Sequence, residues 1–83
     1  LIIFLKNSLS LSRFGFIVSS KVSKKAVVRN KIKRRLREII RLNLSRIKSG
    51  YDFIIIASPF AKEVDFQNLK EDLEKALSKN KLL

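Results

Sequence analysis

The sequence predicts an α+β protein built as a two-layer sandwich, in which helices pack on a small sheet in the order ββαβα. Three observations predict this fold. Two apolar segments rich in β-formers open the chain, a long middle segment places its apolar residues at helical spacing, and a nearly continuous apolar run precedes a second amphipathic segment. At 83 residues, the chain has the length of a single domain spanning residues 1–83.

The first two elements are predicted strands. Residues 1–6 are apolar, residues 7–12 have the composition of a turn, and residues 13–20 form a second apolar segment. We therefore expect the two strands to form a hairpin. Gly15 lies inside the second strand, where a glycine indicates a bulge or the close approach of another group.

The third element is a predicted helix that begins near Lys25, with Ser23 as its N-cap, and ends at Gly50. Its apolar residues share about a third of the helix circumference. They are Val28, Ile32, Leu36, Ile39, Ile40 and Ile47. The opposite side carries Asn30, Lys33, Arg34, Arg37, Arg41 and Lys48, with Arg29 and Arg35 at its borders.

The last two elements are a strand and a helix. Residues 51–58 are apolar at nearly every position, which is typical of a central strand covered on both faces, and Pro59 ends the run. We expect this strand to lie parallel to the second one, since a long helix connects them. Asp65 can cap the final helix. That helix has an apolar stripe of Phe66, Leu69, Leu73, Ala76 and Leu77, and an outer Glu71/Lys75 pair.

Positive charge is concentrated in the middle of the chain. Between Lys21 and Lys48 there are twelve basic residues and one acid, Glu38, which together give +11 of the net +12. A solvated helix face normally mixes both signs of charge, whereas a face of one sign is relieved by a polyanion. Nucleic acid is the leading partner, ahead of an anionic membrane and an acidic protein. A membrane-surface helix would carry Trp or Phe on its apolar side.

Several functional classes are excluded or weakened by composition. The chain has no cysteine and no histidine, which excludes disulfides, zinc sites built from these residues and histidine acid–base catalysis. No apolar run approaches the roughly 18 residues of a membrane span, and we expect a cytoplasmic protein without a membrane partner. An independent nuclease would need metal ligands, for which the candidates are Glu63, Asp65, Glu71, Asp72 and Glu74.

Residues 26–37, Ala-Val-Val-Arg-Asn-Lys-Ile-Lys-Arg-Arg-Leu-Arg, resemble the signature helix of the bacterial ribonuclease P protein subunit. The shared pattern is an alanine, two variable residues, Arg-Asn-Arg/Lys, an aliphatic residue, Lys-Arg and a further basic residue. Lys31 stands where arginine is more common. The basic residues 20–25, the glycine-containing strand at residues 14–19 and the apolar run at residues 51–57 extend the resemblance over the chain.

The resemblance implies a protein that assists a catalytic RNA in removing the 5′ leader of precursor tRNA. It implies Mg²⁺ bound by that RNA, no metal bound by the protein alone, no DNA partner, and a left-handed βαβ crossover around the basic helix. The residues expected to bind RNA are Lys21, Lys24, Lys25, Arg29, Asn30, Lys31, Lys33, Arg34, Arg37 and Arg41.

The resemblance also implies a cleft for the single-stranded leader, in which Phe4 would stack on a base; core packing is the other interpretation of Phe4. The family begins with a helix and a short strand that precede the segment at residues 1–6. Because the chain has neither these elements nor an initiator methionine, we expect its natural N-terminus to be missing. A ribosomal or general RNA-binding protein without a role in tRNA cleavage is the alternative function.

Overall fold

The strand that comes last in the sequence lies at the centre of the sheet. The computed structural model describes all residues 1–83. Its elements are β1 (Ile2–Lys6), β2 (Arg13–Ile17), α1 (Ala26–Asn43), β3 (Tyr51–Ile56), a 3-10 turn (Ala61–Glu63) and α2 (Phe66–Lys79). The strand order is β1-β3-β2, and the helices cover one side of the sheet. The structure thus confirms the predicted α+β fold and element order.

The predicted hairpin of the first two strands is wrong, because β3 separates them. β1 pairs with β3 in an antiparallel arrangement that sets Phe4 opposite Phe53. β2 pairs with β3 in parallel and sets Phe14 opposite the same residue. The observed order confirms the prediction that β3 is the central strand and that it lies parallel to β2. A central position suits the most continuously apolar strand, because it is the most enclosed place in a sheet. The left-handed sense of the β2-α1-β3 crossover stays a prediction.

One face of the sheet is buried and the other is open. The core contains Val18, Val22, Ile32, Leu36, Ile39, Ile40, Ile47, Phe53, Ile55, Ala61, Leu73, Leu77 and Leu82. Strand residues alternate between the two faces, so Ile54 points away from this core and is 41% exposed. The expectation that β3 is covered on both faces is therefore wrong. We call the uncovered side the open face; it carries Ile3, Leu5, Arg13, Gly15, Ile17, Asp52 and Ile54.

Helix α1 buries the predicted apolar residues, but its ends differ from the prediction. Ile32, Leu36, Ile39, Ile40 and Ile47 are buried, and Val28 packs against them.

The N-cap of α1 is Lys25, without a side-chain bond, whereas the Oγ of Ser23 accepts a hydrogen bond from the Lys25 amide. The helix ends at Asn43, whose side-chain Nδ2 donates to the Ile39 carbonyl at 2.9 Å. Gly50, with φ of 82°, instead leads into β3.

Helix α2 begins as predicted. The Oδ1 of Asp65 accepts a hydrogen bond from the Asn68 amide at 2.8 Å and caps the first turn. Leu73 and Leu77 are buried, and the other residues of the apolar stripe are half-buried or lie at its edge. The predicted Glu71/Lys75 pair does not form. Lys70 and Glu74 make the ion pair of this helix at 3.4 Å, and Gln67 donates to Glu71.

The predicted bulge at Gly15 is also absent, since β2 keeps a regular register with β3 through this residue. No helix of this fold is both long enough and apolar enough to pass through a membrane.

Candidate nucleic-acid interface

Helix α1 and the loop before it carry all ten predicted RNA-binding residues, which we call the basic face. Its members are Lys21, Lys24, Lys25, Arg29, Asn30, Lys31, Lys33, Arg34, Arg37 and Arg41. Eight are exposed, while Arg29 and Lys33 are half-buried. Because the apolar residues of α1 are anchored in the core, the members of the basic face on this helix are held on its side away from the core, and the other three lie in the loop before it. Their contact with RNA stays a prediction.

Three members of the basic face have partners within the chain. Arg41 forms an ion pair with Glu38, with its Nε 3.0 Å from Oε2, and this hydrogen bonding lowers the pKa of Glu38. Arg29 donates from Nη1 to the Ser23 carbonyl at 2.9 Å. The guanidinium of Arg37 lies 5.8 Å from the centroid of the Phe16 ring.

The remaining cations of the basic face have no ion-pair partner. Only three ion pairs form in the chain, and seven basic-face cations take part in neither an ion pair nor a ring contact. They are Arg29, which is bonded to the Ser23 carbonyl, and Lys21, Lys24, Lys25, Lys31, Lys33 and Arg34. The first turn of α1 has no acidic residue, so its amide groups add further positive potential. Like charges one turn apart destabilise a helix by roughly 0.2–0.5 kcal/mol per pair. A bound polyanion removes that repulsion.

Aromatic side chains form a row across the helix-covered side of the sheet. Phe14 and Phe53 stack with ring centroids 5.0 Å apart, and Tyr51 follows at 6.0 Å from Phe53. Phe4 ends the row in an edge contact with Tyr51 at 6.2 Å. Phe4 is 38% exposed, so it is neither a core residue nor free of packing, and part of its ring remains available for stacking.

Sequence reasoning missed Tyr51 and Phe16 as members of this region. The signal was present, because Phe14 and Phe16 alternate on one strand and Tyr51 and Phe53 alternate on the other. Using this signal requires the strand order, because only the order shows that these residues lie next to one another on one side of the sheet. The contact of Arg37 with Phe16 joins the basic face to this side. Cations for phosphates and rings for bases are the two components of a single-stranded nucleic-acid site.

A polar network at one end of β3 stabilises the sheet. Arg13 holds the Asp52 carboxylate with both Nε, at 2.8 Å, and Nη2, at 2.6 Å. The Nδ2 of Asn7 donates to the same carboxylate at 2.9 Å. The hydrogen bonds from Arg13 and Asn7 lower the pKa of Asp52 to about 2. This network joins β2 and the β1–β2 loop to the central strand.

The acidic residues that an independent nuclease would use are not brought together. No three acidic side chains lie close enough to hold a metal ion. Asp65 caps α2, and Glu74 is paired with Lys70. Their oxygens stabilise the helix, which removes the observation on which the nuclease alternative depended.

Comparisons with known proteins agree on one family. The family model described as Ribonuclease P matches residues 1–81. The ribonuclease P protein component of Fusobacterium nucleatum is 44% identical over an alignment of 87 positions, which covers 100% of this chain and 78% of the relative. The corresponding protein of a Cyanothece species is 44% identical and covers 93% of this chain and 59% of the relative. The chain thus spans part of the length of these relatives.

Solved structures give the same result. The RNase P protein of Staphylococcus aureus superposes with a TM-score of 0.88 at 34% identity, covering 98% of this chain and 73% of that one. The RNase P protein of Thermotoga maritima superposes with a TM-score of 0.83 at 38% identity, covering 94% and 74%.

Proposed function

The chain belongs to the ribonuclease P protein family, and we propose that its basic face binds the catalytic RNA of the holoenzyme while its aromatic row binds the 5′ leader of precursor tRNA. The main support for this proposal is the basic face, whose cations lie on α1 and on the loop before it and mostly have no acidic partner. RNA phosphates supply the missing negative charge. Each neutralised phosphate releases counterions, so the affinity should fall steeply with salt.

The leader site in this proposal is the exposed end of the aromatic row. A base stacked on Phe4 would meet a ring already oriented by Tyr51, which lowers the entropy lost on binding. Stacking tolerates any base, as required of a protein that acts on leaders of different sequence. The cation–π contact between Arg37 and Phe16 is the nearest observed connection between rings and cations.

The chemistry is assigned to the RNA. The chain has no histidine or cysteine, and its acidic residues do not converge. We therefore expect the RNA to hold the Mg²⁺ that activates water, while this chain binds and positions the RNA and the leader. This proposal places the protein in the cytoplasm, with no metal of its own and no DNA or membrane partner.

The test is cleavage of a leader-bearing precursor tRNA by a bacterial ribonuclease P RNA at low Mg²⁺, with and without this chain. The Staphylococcus aureus RNase P protein is the positive control, and the chain with Arg34→Ala and Lys31→Ala is the matched variant. We expect stimulation by the chain and less by the variant. RNA binding without any stimulation would contradict the proposal and favour the general RNA-binding alternative.

A further inference from the structure

Glu38 is the single acid among the cations of residues 21–48, and it lies on the side of α1 away from the core. A helix brings residues three and four positions apart next to each other, so this acid is one turn from Arg34, Arg35 and Arg41. Its side chain is 44% exposed. A carboxylate at this place repels the phosphates that the surrounding cations attract. In a face that binds phosphates alone, this charge is unfavourable.

Arg41 holds the Glu38 carboxylate in one orientation. Its Nε donates to Oε2 at 3.0 Å, and its Nη2 donates to Oε1 at 2.5 Å. These hydrogen bonds lower the pKa of Glu38, so the group is ionised at neutral pH. An ionised carboxylate can accept more hydrogen bonds than the two it receives from Arg41. Glu38 is therefore an oriented acceptor with free lone pairs on the exposed side of the helix.

Arg41 keeps donors for a phosphate while it holds Glu38, because a guanidinium has more N–H groups than this pair uses. Arg34 lies on the other side of Glu38, seven positions before Arg41, which corresponds to about 10 Å along the helix axis. Arg34 has no ion-pair partner of its own. A strand whose phosphates contact both arginines passes over the carboxylate between them.

The group that this carboxylate binds on such a strand must be a hydrogen-bond donor. Phosphate oxygens only accept hydrogen bonds, and the N–H groups of bases are occupied wherever the bases pair. The ribose 2′-hydroxyl can donate, belongs to the backbone beside each phosphate, and is absent from DNA. It is therefore the donor that fits an acceptor placed between two phosphate-binding cations.

We propose that Glu38 makes the basic face select RNA over DNA, because its carboxylate accepts a hydrogen bond from a ribose 2′-hydroxyl. With RNA, this bond offsets the repulsion between the carboxylate and the neighbouring phosphates. With DNA, the repulsion is not offset, and an unrelieved charge of this kind is a common source of specificity. Arg41 is the positioning residue for the contact. This role of Glu38 rests on the proposed function, since it requires RNA on the basic face.

The experiment measures the affinity of the full chain for one short oligonucleotide sequence made as RNA, as 2′-fluoro RNA and as DNA. The 2′-fluoro strand keeps the sugar shape of RNA but has no 2′-hydroxyl donor. One variant is Glu38→Ala, which removes the acceptor. The other is Arg41→Lys, which keeps the cation but loses the planar fork that orients the carboxylate.

The matched control is Glu71→Ala, which removes an acid from α2 instead of α1. Arg34→Ala reports whether the oligonucleotide uses the basic face at all. Circular dichroism shows that each variant is folded, and the exposed Glu38–Arg41 pair should contribute little to stability.

We expect the unchanged chain to bind RNA at least about fivefold more tightly than either other strand, as a hydrogen bond to a charged group allows. Glu38→Ala should bind DNA and 2′-fluoro RNA more tightly than the unchanged chain does and should lose most of the preference for RNA. Arg41→Lys should lose part of the preference with little change in overall affinity. Glu71→Ala should keep it.

Equal affinity of the unchanged chain for RNA and 2′-fluoro RNA would overturn the proposal. So would a preference for RNA that Glu38→Ala retains. Both results leave the proposed function standing if Arg34→Ala weakens binding to all three strands. If Arg34→Ala weakens none of them, the basic face is not the RNA site, and the proposed function fails together with the role of Glu38.

Discussion

Arg29 donates a hydrogen bond from Nη1 to the carbonyl oxygen of Ser23 at 2.9 Å, which ties the first turn of α1 to the loop before it. This loop contains Lys21, Lys24 and Lys25 of the basic face. Arg29 therefore has a structural contact in addition to its predicted RNA contact. Arg34, one and a half turns further on, is exposed and has no ion-pair partner.

Replacing Arg34 with alanine should weaken binding to ribonuclease P RNA by roughly fivefold to thirtyfold, about 1–2 kcal/mol. It should reduce the slope of log affinity against log salt by about one unit, since one phosphate contact is lost. Filter binding across a salt series measures both quantities. Lys79→Ala removes one charge from α2 and Glu71→Ala removes an acid there; neither should change the slope. Equal effects of all three substitutions would exclude the basic face as the interface.

Arg29→Ala should weaken RNA binding at least as much as Arg34→Ala and should also loosen the loop. Without the bond to Ser23, residues 21–25 are less ordered in the free protein. They must then become ordered when RNA binds, which lowers the affinity. Hydrogen exchange at the loop amides of the free protein distinguishes the two variants. Exchange should rise in Arg29→Ala and stay unchanged in Arg34→Ala. Unchanged exchange in both would show that the Ser23 contact does not hold the loop.

Phe4→Ala should reduce affinity for precursor tRNA only when the leader is present. Base stacking on an aromatic ring contributes about 1–3 kcal/mol by alanine substitution, roughly fivefold to 150-fold in affinity. Phe60→Ala is the matched control, because Phe60 is 68% exposed before the 3-10 turn and outside the aromatic row. The measurement is the affinity ratio of the holoenzyme for substrates with and without a leader. A ratio that Phe4→Ala leaves unaltered favours a packing role for this ring.

Asp52 should make the stability depend on pH in the acid range. Hydrogen bonds from Arg13 and Asn7 hold its pKa at about 2, below the ordinary value of 3.8, so the folded state favours the ionised carboxylate. This contribution is complete above about pH 4 and is lost as the pH falls through 2. Asp52→Asn should lower the urea midpoint at pH 7 and flatten its decline between pH 4 and 2. Asp72→Asn, at an exposed position on α2, is the control and should retain the decline.

The two glycines should respond in opposite ways to alanine. Gly50 has φ of 82°, and a Cβ there would meet the Leu9 carbonyl oxygen at 3.4 Å. The left-handed backbone alone costs a non-glycine residue about 1–2 kcal/mol. Gly50→Ala should therefore be less stable by about that amount in urea unfolding. Gly15→Ala, where a Cβ has free space, should keep or raise the stability. A loss of stability at both positions would contradict the assignment of strain to Gly50.

Local patterns predicted the elements and the basic face. Helical spacing of Ile32, Leu36 and Ile39 fixed which side of α1 is buried, so the cations had to lie opposite. The Asp65 cap could also be predicted from the sequence, because its hydrogen-bond partner, the Asn68 amide, is only three residues away. These features depend on a single element and need no knowledge of its neighbours.

The errors concern what lies between elements. The hairpin was expected because strands that are consecutive in sequence often pair with each other, but here both β1 and β2 pair with β3 instead. The end of α1 was placed too late, because the backbone leaves the regular helical bonding at Leu44, whose amide donates to the Arg41 carbonyl three residues back at 3.4 Å. The aromatic row was missed because the strand order was not known. Its rings come together only when β3 lies between β1 and β2.

The central position of β3 also sets the order of events in folding. Both strand pairings of the sheet involve residues 51–56, so β1 and β2 have no strand partner until that segment has been synthesised. During translation the basic helix can form before the surface on which it packs exists. A nascent chain is therefore left with an exposed apolar stripe next to a cluster of cations until β3 leaves the ribosome. Sheet formation is then a single late step that requires long-range contacts, which makes it slow compared with helix formation.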